Sequence, residues 1–486
     1  MRARFVAFAI ALLSACTMGP NYKQPEIDTP KAFQYEPQDA AETADTEWWK
    51  QFGDPVLDAL IVEALANNRN VKVAAANVLQ AAGIFTQTRS QLFPQVGYGA
   101  TAGRARTTES GGTPGIERLI PNPQTSYQAL LNATWELDLW GRVQRLSEAA
   151  RANALASDDA RRGVILSLVA SVATDYIQLR GLDSQLEIAK KTLDAYGESV
   201  KLFELQFKYG QISQMNVAQA QSQYETAAVQ IPALESQIAQ TETALSILLG
   251  RNPGRIARGR SIDDLAMPSV PAGVPSLLLT RRPDLMQSEE QLIAANAQIG
   301  AAQALYFPTI SLTSAFGSSS AELSNLFKGP ARVWNYAGQL SGPIFTFGAV
   351  SGQVAQAQAQ ADAALQNYQL SIQNAFGDVD NALIASAKLK EQIAAQQRLV
   401  AALADYDRLA KLQYNGGYTS YTTVLQAEQS LFPAELNLAS MRASMLNSSV
   451  NIYKAMGGGW VVEADKLTTG GIVVPVTERM DKQPVF

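Results

Sequence analysis

The sequence predicts a mainly α-helical chain built as two copies of one strand–strand–long helix–helix unit, with strands whose alternation fits a transmembrane β-barrel. Three observations predict it. The first is a constant offset of 207 residues: Gly141 pairs with Gly348, Gly210 with Gly417, Ser213 with Ser420 and Gly250 with Gly457. Val217, Gln219 and Ala220 match Val424, Gln426 and Ala427 at the same offset. A stretch this long without net insertion is what a rigid helical unit requires, because one slipped residue rotates a helix by about 100°. The second is an upstream parallel at an offset of 214, from Asn70-Val71 with Asp284-Leu285 to Phe93-Pro94 with Phe307-Pro308. One copy therefore has the longer loop between Pro94 and Gly141. The third is a pair of alternating segments between these blocks in each copy, followed by a long Pro-free stretch.

The elements follow in order. Arg2 and Arg4 precede an apolar run from Phe5 to Leu13, then Leu13-Ser14-Ala15-Cys16, which describes a secretory signal over residues 1–15. An ordinary signal with an incidental cysteine also fits the basic and apolar parts. However, the chain's single cysteine stands where a bacterial lipobox requires one. LSAC resembles that motif, implying cleavage before Cys16, acylation of Cys16 and, with Thr17 next, delivery to outer-membrane lipid. Residues 16–54 read as a lipidated tether, extended by prolines at 20, 25, 30 and 37 and able to run tens of ångströms.

Asp54-Pro55 opens a helix with Leu57, Leu60, Ile61 and Leu65 on one face, and Phe93-Pro94 ends it. Val96, Tyr98, Ala100 and Ala102 mark a first strand, and a Gly/Pro/Thr loop runs from Arg104 to Thr125. The second strand alternates through Tyr127, Leu131, Trp135, Leu137 and Leu139. In the second copy, Ile310, Leu312 and Phe316 mark one strand, and Trp334, Tyr336, Leu340 and Ile344 the other. Such alternation fits a transmembrane barrel strand, and it would equally serve a half-buried strand of a soluble sandwich. Four strands are fewer than the roughly eight that close the smallest membrane barrel, so membrane strands require several chains to share one. No stretch reaches the roughly 20 apolar residues of a spanning helix.

The Pro-free stretches Arg142 to Tyr209 and Ala349 to Asn415 read as helices of about 100 Å. Leu186, Ala189, Leu193, Tyr196, Val200, Phe203 and Phe207 step by threes and fours as a coiled-coil seam. The copy keeps Leu389, Ile393, Val400 and Leu403, with Gln396 interrupting and Asp407 at the place of Val200. Each stretch ends in a glycine turn, and a helix carrying Pro232 or Pro433 returns. The expected divisions are a first repeat over 55–250, a connector over 251–283, a second repeat over 284–457 and a tail over 458–486.

Composition excludes much chemistry. With no histidine and one cysteine, serine–histidine and cysteine–histidine catalysis are ruled out, and carboxylates remain as the only metal ligands. No catalytic residue, metal site or cofactor is expected, and acids such as Asp158-Asp159 and Asp263-Asp264 read as solvated faces or turns. After removal of Arg2 and Arg4, 37 basic residues face 44 acidic ones, a poor balance for binding nucleic acid.

Seven segments carry a family resemblance: GPNY at Gly19, WWKQFGDPVLDAL at Trp48, WELDLWGR at Trp135, LLGRNPG at Leu248, RRPDL at Arg281, YFPTISL at Tyr306 and MGGGW at Met456. In this order they resemble the TolC-like outer-membrane efflux factors, in particular the NodT-type lipoproteins. The resemblance implies a homotrimer whose protomers each give four strands to a twelve-stranded outer-membrane barrel and whose helices build a periplasmic tube. It implies an exit duct coupled through a periplasmic adaptor to an inner-membrane efflux transporter of the resistance–nodulation–division type. A type I secretion duct and a non-channel coiled-coil structural lipoprotein are the alternatives. By the same resemblance, Tyr209, Gly210, Gln211, Gly416, Gly417 and Tyr418 form the adaptor-docking tips. The periplasmic gate falls at Gln214, Asn216, Thr423 and Gln426. Related gates are acidic at these four positions, whereas here all are uncharged and Glu428 is the nearby carboxylate. Closure is then expected to rest on neutral hydrogen bonds and on packing of Tyr418 and Tyr421.

Overall fold

The structure, a computed structural model, describes residues 17–30, 32–35, 46–106, 108, 122–270, 275–457 and 460–468. Cys16, the expected signal segment, the interior of the loop from Arg104 to Thr125 and the end of the tail lie outside the described residues. A 3₁₀ turn, Trp48–Phe52, leads into α1 (Pro55–Asn67), whose N-terminus Asp54 caps by accepting from the Val56 N–H at 2.9 Å. The single helix expected from Asp54 to Phe93 is instead broken at Asn68. Its side chain accepts from the N–H groups of Asn70 and Val71, starting α2 (Arg69–Ser90) afresh. Then come β1 (Gln95–Ala105), β2 (Gln124–Leu137), α3 (Arg142–Lys208) and α4 (Gln214–Leu248). The second copy contains α5 (Pro283–Ala304), β3 (Thr309–Ser320), β4 (Arg332–Ser341), α6 (Ala349–Asn415) and α7 (Tyr421–Met456), and α8 (Trp460–Lys466) follows it. Both α3 and α6 have 67 residues, about 100 Å of helix. Pro232 and Pro433 lie inside α4 and α7, which continue through them.

The strands form one antiparallel sheet in chain order. The two hairpins share one register: Gln95 faces Thr134, and their counterparts Thr309 and Ser341 face each other. Period-two alternation sorts the sheet into two faces. One row across it is Tyr98, Leu131, Phe316 and Trp334, and the row beside it is Gly97, Asn132, Ala315 and Asn335. The apolar row is open: Tyr98 is 90% exposed and Trp334 66%. A soluble sandwich would bury that face against a second sheet. A barrel wall instead turns it to lipid and the polar face to the lumen, which decides between the two readings of the alternation.

Leu139 and Ile344 fall outside the strands expected to hold them. The first copy shows why. After Leu137 the chain turns into α3, and the side chains of the WELDLWGR motif build the joint. Arg142 Nη2 donates to both Glu136 oxygens at 2.9 Å, and Asp138 accepts from the Gln144 N–H at 2.8 Å. Trp140 stacks on Phe307 with ring centres 4.6 Å apart and donates from Nε1 to the Pro308 carbonyl at 2.7 Å.

Helix α3 is the spine, packed on α1, α2, α4, α5 and α7. The main core gathers around its middle, where Ile165, Val172, Tyr176 and Leu179 meet Trp48, Trp49, Tyr453 and Trp460. Trp48 stacks on Tyr453 with ring centres 5.3 Å apart and meets Trp460 edge-on, so the WWKQF segment ties the start of the body to its end. Along the coiled-coil seam, Ala189, Tyr196 and Phe203 are buried, whereas Phe207 at the tip is exposed. Gln396, the interruption in the copy, donates to the Ala434 carbonyl at 2.9 Å.

Two expectations change. The N-terminal segment is extended, but it is pinned and does not trail free. The Met18 N–H donates to the Trp140 carbonyl at 3.0 Å, and buried Arg145 donates to the Met18 carbonyl at 3.0 Å and to Asn21 Oδ1 at 2.7 Å. Gly19 and Gly300 make room, since a Cβ on Gly300 would lie 2.4 Å from the Met18 carbonyl oxygen. Further on, Tyr22 donates to Glu289 at 2.9 Å and Phe33 is buried in the second core cluster. Asp158 and Asp159 are also not solvated: both are buried. Asp158 pairs with Arg161 at 3.0 Å and Arg162 at 3.1 Å, and Arg161 also grips Asp465 of α8. At this level α3 is covered by its neighbours, whereas Glu187 and Glu198 farther along it stay exposed.

Burial has a titration consequence between α3 and α5. Burial pushes the Asp159 carboxyl up to about 6, against Arg162 and with help from Asp158. Burial together with Asp159 and Glu289 pushes Glu290 up to about 7, with Arg151 opposing. A carboxyl raised in the folded state gives stability that is present in acid and lost as pH rises through its folded pKa. Detergent-solubilised protein should therefore unfold at a lower temperature at about pH 8 than at about pH 5.5, by roughly 2 °C per group. Glu290→Gln should remove its share of that slope. An unchanged slope in the variant would count against this assignment.

Candidate functional site

The ends of α3 and α6 farthest from the sheet are built alike. In the first turn the Gln211 N–H donates to the Gln206 carbonyl and the Gly210 N–H to that of Phe207, both at 2.9 Å. In the second, the Tyr418 N–H donates to Gln413 and the Gly417 N–H to Tyr414, again at 2.9 Å. This Schellman arrangement needs a left-handed residue, and Gly210 and Gly417 supply it at φ +70° and +75°. The turn alone therefore explains these glycines, while Gly416 is an ordinary right-handed helix end. What each turn offers outward is an aromatic ring, with Tyr209 70% and Tyr418 87% exposed.

The return helices start at Ser213 and Ser420. Asn216 is half-buried and accepts from the Ser213 hydroxyl at 2.9 Å, and the Thr419 and Thr423 hydroxyls lie 2.8 Å apart. Gln214 and Gln426 are exposed. The four expected gate positions thus present two free-facing amides and two polar groups engaged within their own turns. Tyr421 does not join Tyr418 at the outer surface. It is buried, edge-on to Phe203 with ring centres 4.2 Å apart and close to Tyr414 at 5.5 Å, holding α3, α6 and α7 together below the tips.

Sequence reasoning missed one cluster. Lys411 of α6 lies 2.9 Å from Asp407 and 3.0 Å from Glu428 of α7. Glu428 is buried, and the Tyr196 hydroxyl donates to its backbone carbonyl at 3.4 Å. Burial raises the Glu428 carboxyl, with Lys411 opposing. Lys411 is itself raised, because Asp407 and Glu428 together outweigh its burial. The first copy carries Val200, Glu204 and Gln221 at these places, with Gln221 donating to Glu204 at 3.5 Å. The signal was available: Asp407 at a seam position, with Lys411 one turn on.

Comparison with known proteins places these features in context. The family model described as "Outer membrane efflux protein" matches residues 60–251 and 274–458. The chain is 36% identical over 463 residues to the probable efflux pump outer membrane protein TtgC of Pseudomonas putida, covering 94% of this chain and 95% of the relative. It is 34% identical over 464 residues to the cation efflux system protein CusC of Escherichia coli, covering 94% of this chain and 99% of the relative. The solved structure of CusC overlays with a TM-score of 0.80 at 33% identity, over 91% of this chain and 100% of that one. The outer membrane channel CmeC of Campylobacter jejuni overlays with a TM-score of 0.84 at 26% identity, over 93% of this chain and 99% of that one.

The ion cluster gives a local prediction. Lys411→Met leaves Glu428 buried without its cation, at a cost of about 2 kcal/mol once the lysine's partial exposure is discounted. Amide hydrogen exchange over residues 405–428 should quicken, while the first tip is unaffected. Adding Glu428→Gln should largely restore protection. Unchanged exchange in the single variant would show that the cluster does not hold the second tip.

Proposed function

The chain belongs to the outer membrane efflux protein family, and from that premise we propose that it is the exit duct of a tripartite efflux system. One observation carries the reading. A sheet with an apolar outer face and a polar inner face is joined at one end directly to two helices of about 100 Å. A homotrimer supplies twelve strands to one barrel, and the helices continue its bore across the periplasm. The motor is an inner-membrane transporter of the resistance–nodulation–division type, reached through a periplasmic adaptor. The adaptor docks on Tyr209, Gly210, Gln211, Gly416, Gly417 and Tyr418, where the exposed tyrosines offer apolar rings with polar tips, suited to a wet interface.

Lipid attaches at Cys16. The pinned strap supports this reading, since Thr17 packs beside Gly141 at the foot of β2 and Met18 bonds to Trp140. A lipid on the preceding residue then enters the membrane beside the barrel wall. Growth with a radioactive fatty acid should label the wild-type chain and not Cys16→Ala. An unlabelled wild type would remove the anchor.

The constriction lies at Gln214, Asn216, Thr423 and Gln426. A carboxylate ring there would attract cations strongly, because low-dielectric walls focus its field. Amides and hydroxyls do not, and Glu428 is engaged with Lys411. Single-channel recording in planar bilayers should therefore show weak cation selectivity and little block by multivalent cations in wild type. Gln426→Asp should gain both properties. Strong block of the wild-type channel would refute the neutral constriction, and a chain that forms no channel at all would refute the duct.

A further inference from the structure

We propose that the end of the sheet farthest from the helices binds the phosphate groups of a phosphorylated glycolipid in the outer leaflet, with Arg104 and Arg332 as the phosphate ligands. This goes beyond the duct and rests on the membrane reading of the sheet given above.

The outward rows of the sheet isolate these two residues. Read by twos from Val96, β1 presents Tyr98, Ala100, Ala102 and then Arg104. Read back from Leu340, β4 presents Gly338, Tyr336, Trp334 and then Arg332. The outward positions of β2, from Thr125 to Leu137, and of β3, from Ile310 to Ser320, are uncharged. Among the described residues, Arg104 and Arg332 are therefore the charged side chains of a face that otherwise meets lipid. They stand at the same end, since Arg104 is one residue short of the close of β1 and Arg332 opens β4. Both are exposed, and neither side chain has a hydrogen-bond or ion-pair partner among the described residues. At the helix end the case is different, because Arg142 is matched there by Glu136.

Depth decides what such arginines need. Leu340 and Arg332 are eight residues apart, and so are Val96 and Arg104. That spacing covers about 27 Å along a strand, or about 20 Å of height at the usual tilt. The apolar band of a barrel wall is about 25 Å tall, so both guanidiniums reach its outer boundary, beyond the rings of Tyr98, Tyr336 and Trp334. Lipid phosphates lie at that level, and a guanidinium binds phosphate by a two-pronged, charge-assisted hydrogen bond. The β3–β4 hairpin adds Lys328, held by Asn325 Oδ1 at 2.7 Å, beside exposed Leu323 and Phe327. The described carboxylate at this end, Glu322, is occupied by Asn325 Nδ2 at 2.7 Å. A chain of net charge −5 thus gathers basic side chains at this rim. With the helices leaving the opposite end towards the periplasm, the rim faces the outer leaflet, whose characteristic lipid is a phosphorylated glycolipid.

The test is binding of bisphosphorylated lipid A to full-length protein in a non-ionic detergent, read by native mass measurement, which reports the oligomer as well. Wild type should retain the glycolipid at low salt, release it as salt is raised, and not retain the same glycolipid stripped of both phosphates. Arg104→Gln and Arg332→Gln should each weaken retention about tenfold. Arg104→Lys and Arg332→Lys should weaken it less, because the charge remains without the fork. Arg408→Gln, on the helical tube, should leave retention unchanged. Undiminished retention by the double glutamine variant, or retention of the stripped glycolipid by wild type, would overturn the site. Equal retention of phosphatidylglycerol would overturn the choice of glycolipid. A monomer that binds the glycolipid through both arginines would refute the shared barrel and leave the site standing.

Discussion

Everything in this chain is subordinate to one constraint: a sheet in lipid cannot leave its edges unpaired. Four strands with an outward apolar face are enough to enter a membrane and too few to close within one. The shared barrel proposed above meets this constraint by joining the sheets of several chains. Both hairpins share one register and both long helices have one length, so the two copies follow one plan. Inside the chain the two copies meet with Trp140 on Phe307 and β2 on β3.

Where the copies differ, the chain has a task that only one of them performs. Arg145 fastens the N-terminal strap, and its counterpart is Gly352, so only one site per chain can hold that segment. The aromatic clamp of Trp48, Trp49, Tyr453 and Trp460 likewise joins the lead-in of the first copy to the end of the second. Buried Asp54 adds a polar node there, accepting from the Tyr176 hydroxyl at 2.7 Å and from the Arg260 N–H at 3.0 Å. The connector is therefore fixed to the body. Arg258 also holds Asp183 at 2.9 Å, and Ile256 and Ile262 are buried in the main core.

The parts legible in the sequence were those governed by period and by backbone sterics. The offsets found both copies, the Pro-free runs gave α3 and α6 to within a residue, and the tip glycines stood where left-handed turns were required. The strands were legible by alternation, but their ends were not, since side-chain bonds such as Asp138 to the Gln144 N–H decide where a strand turns into a helix. Long-range polar contacts left no local trace. The break at Asn68 looks like uninterrupted helix because caps and mid-helix residues share an alphabet. The burial of Asp158 and Asp159 depends on helices more than a hundred positions away, and so does the pinning of a proline-rich segment that composition alone reads as free. Of the tips and the positions beside them, location was legible and chemistry only in part: the uncharged side chains could be read directly, whereas Lys411 could not be assigned a role without its partner helix.

The constriction proposed beside the tips draws on the same distribution of charge. The second copy places charges where the first keeps a valine and a carboxylate–amide pair, but it directs them inward, between α6 and α7. Asp407, Lys411 and Glu428 leave one net negative charge in a half-buried pocket, and the raised Glu428 carboxyl softens even that. Charge used in this way stiffens one helix pair against itself and contributes little field outside. The exposed faces at the expected gate positions are left with amides and hydroxyls beside tyrosine rings, whose individual contacts are each worth about 1 kcal/mol. In the proposed duct, contacts that weak would close a ring only when many form together. They are also within reach of the free energy of docking a partner, so a tip held by neutral bonds suits opening by assembly better than opening by a change in pH or salt.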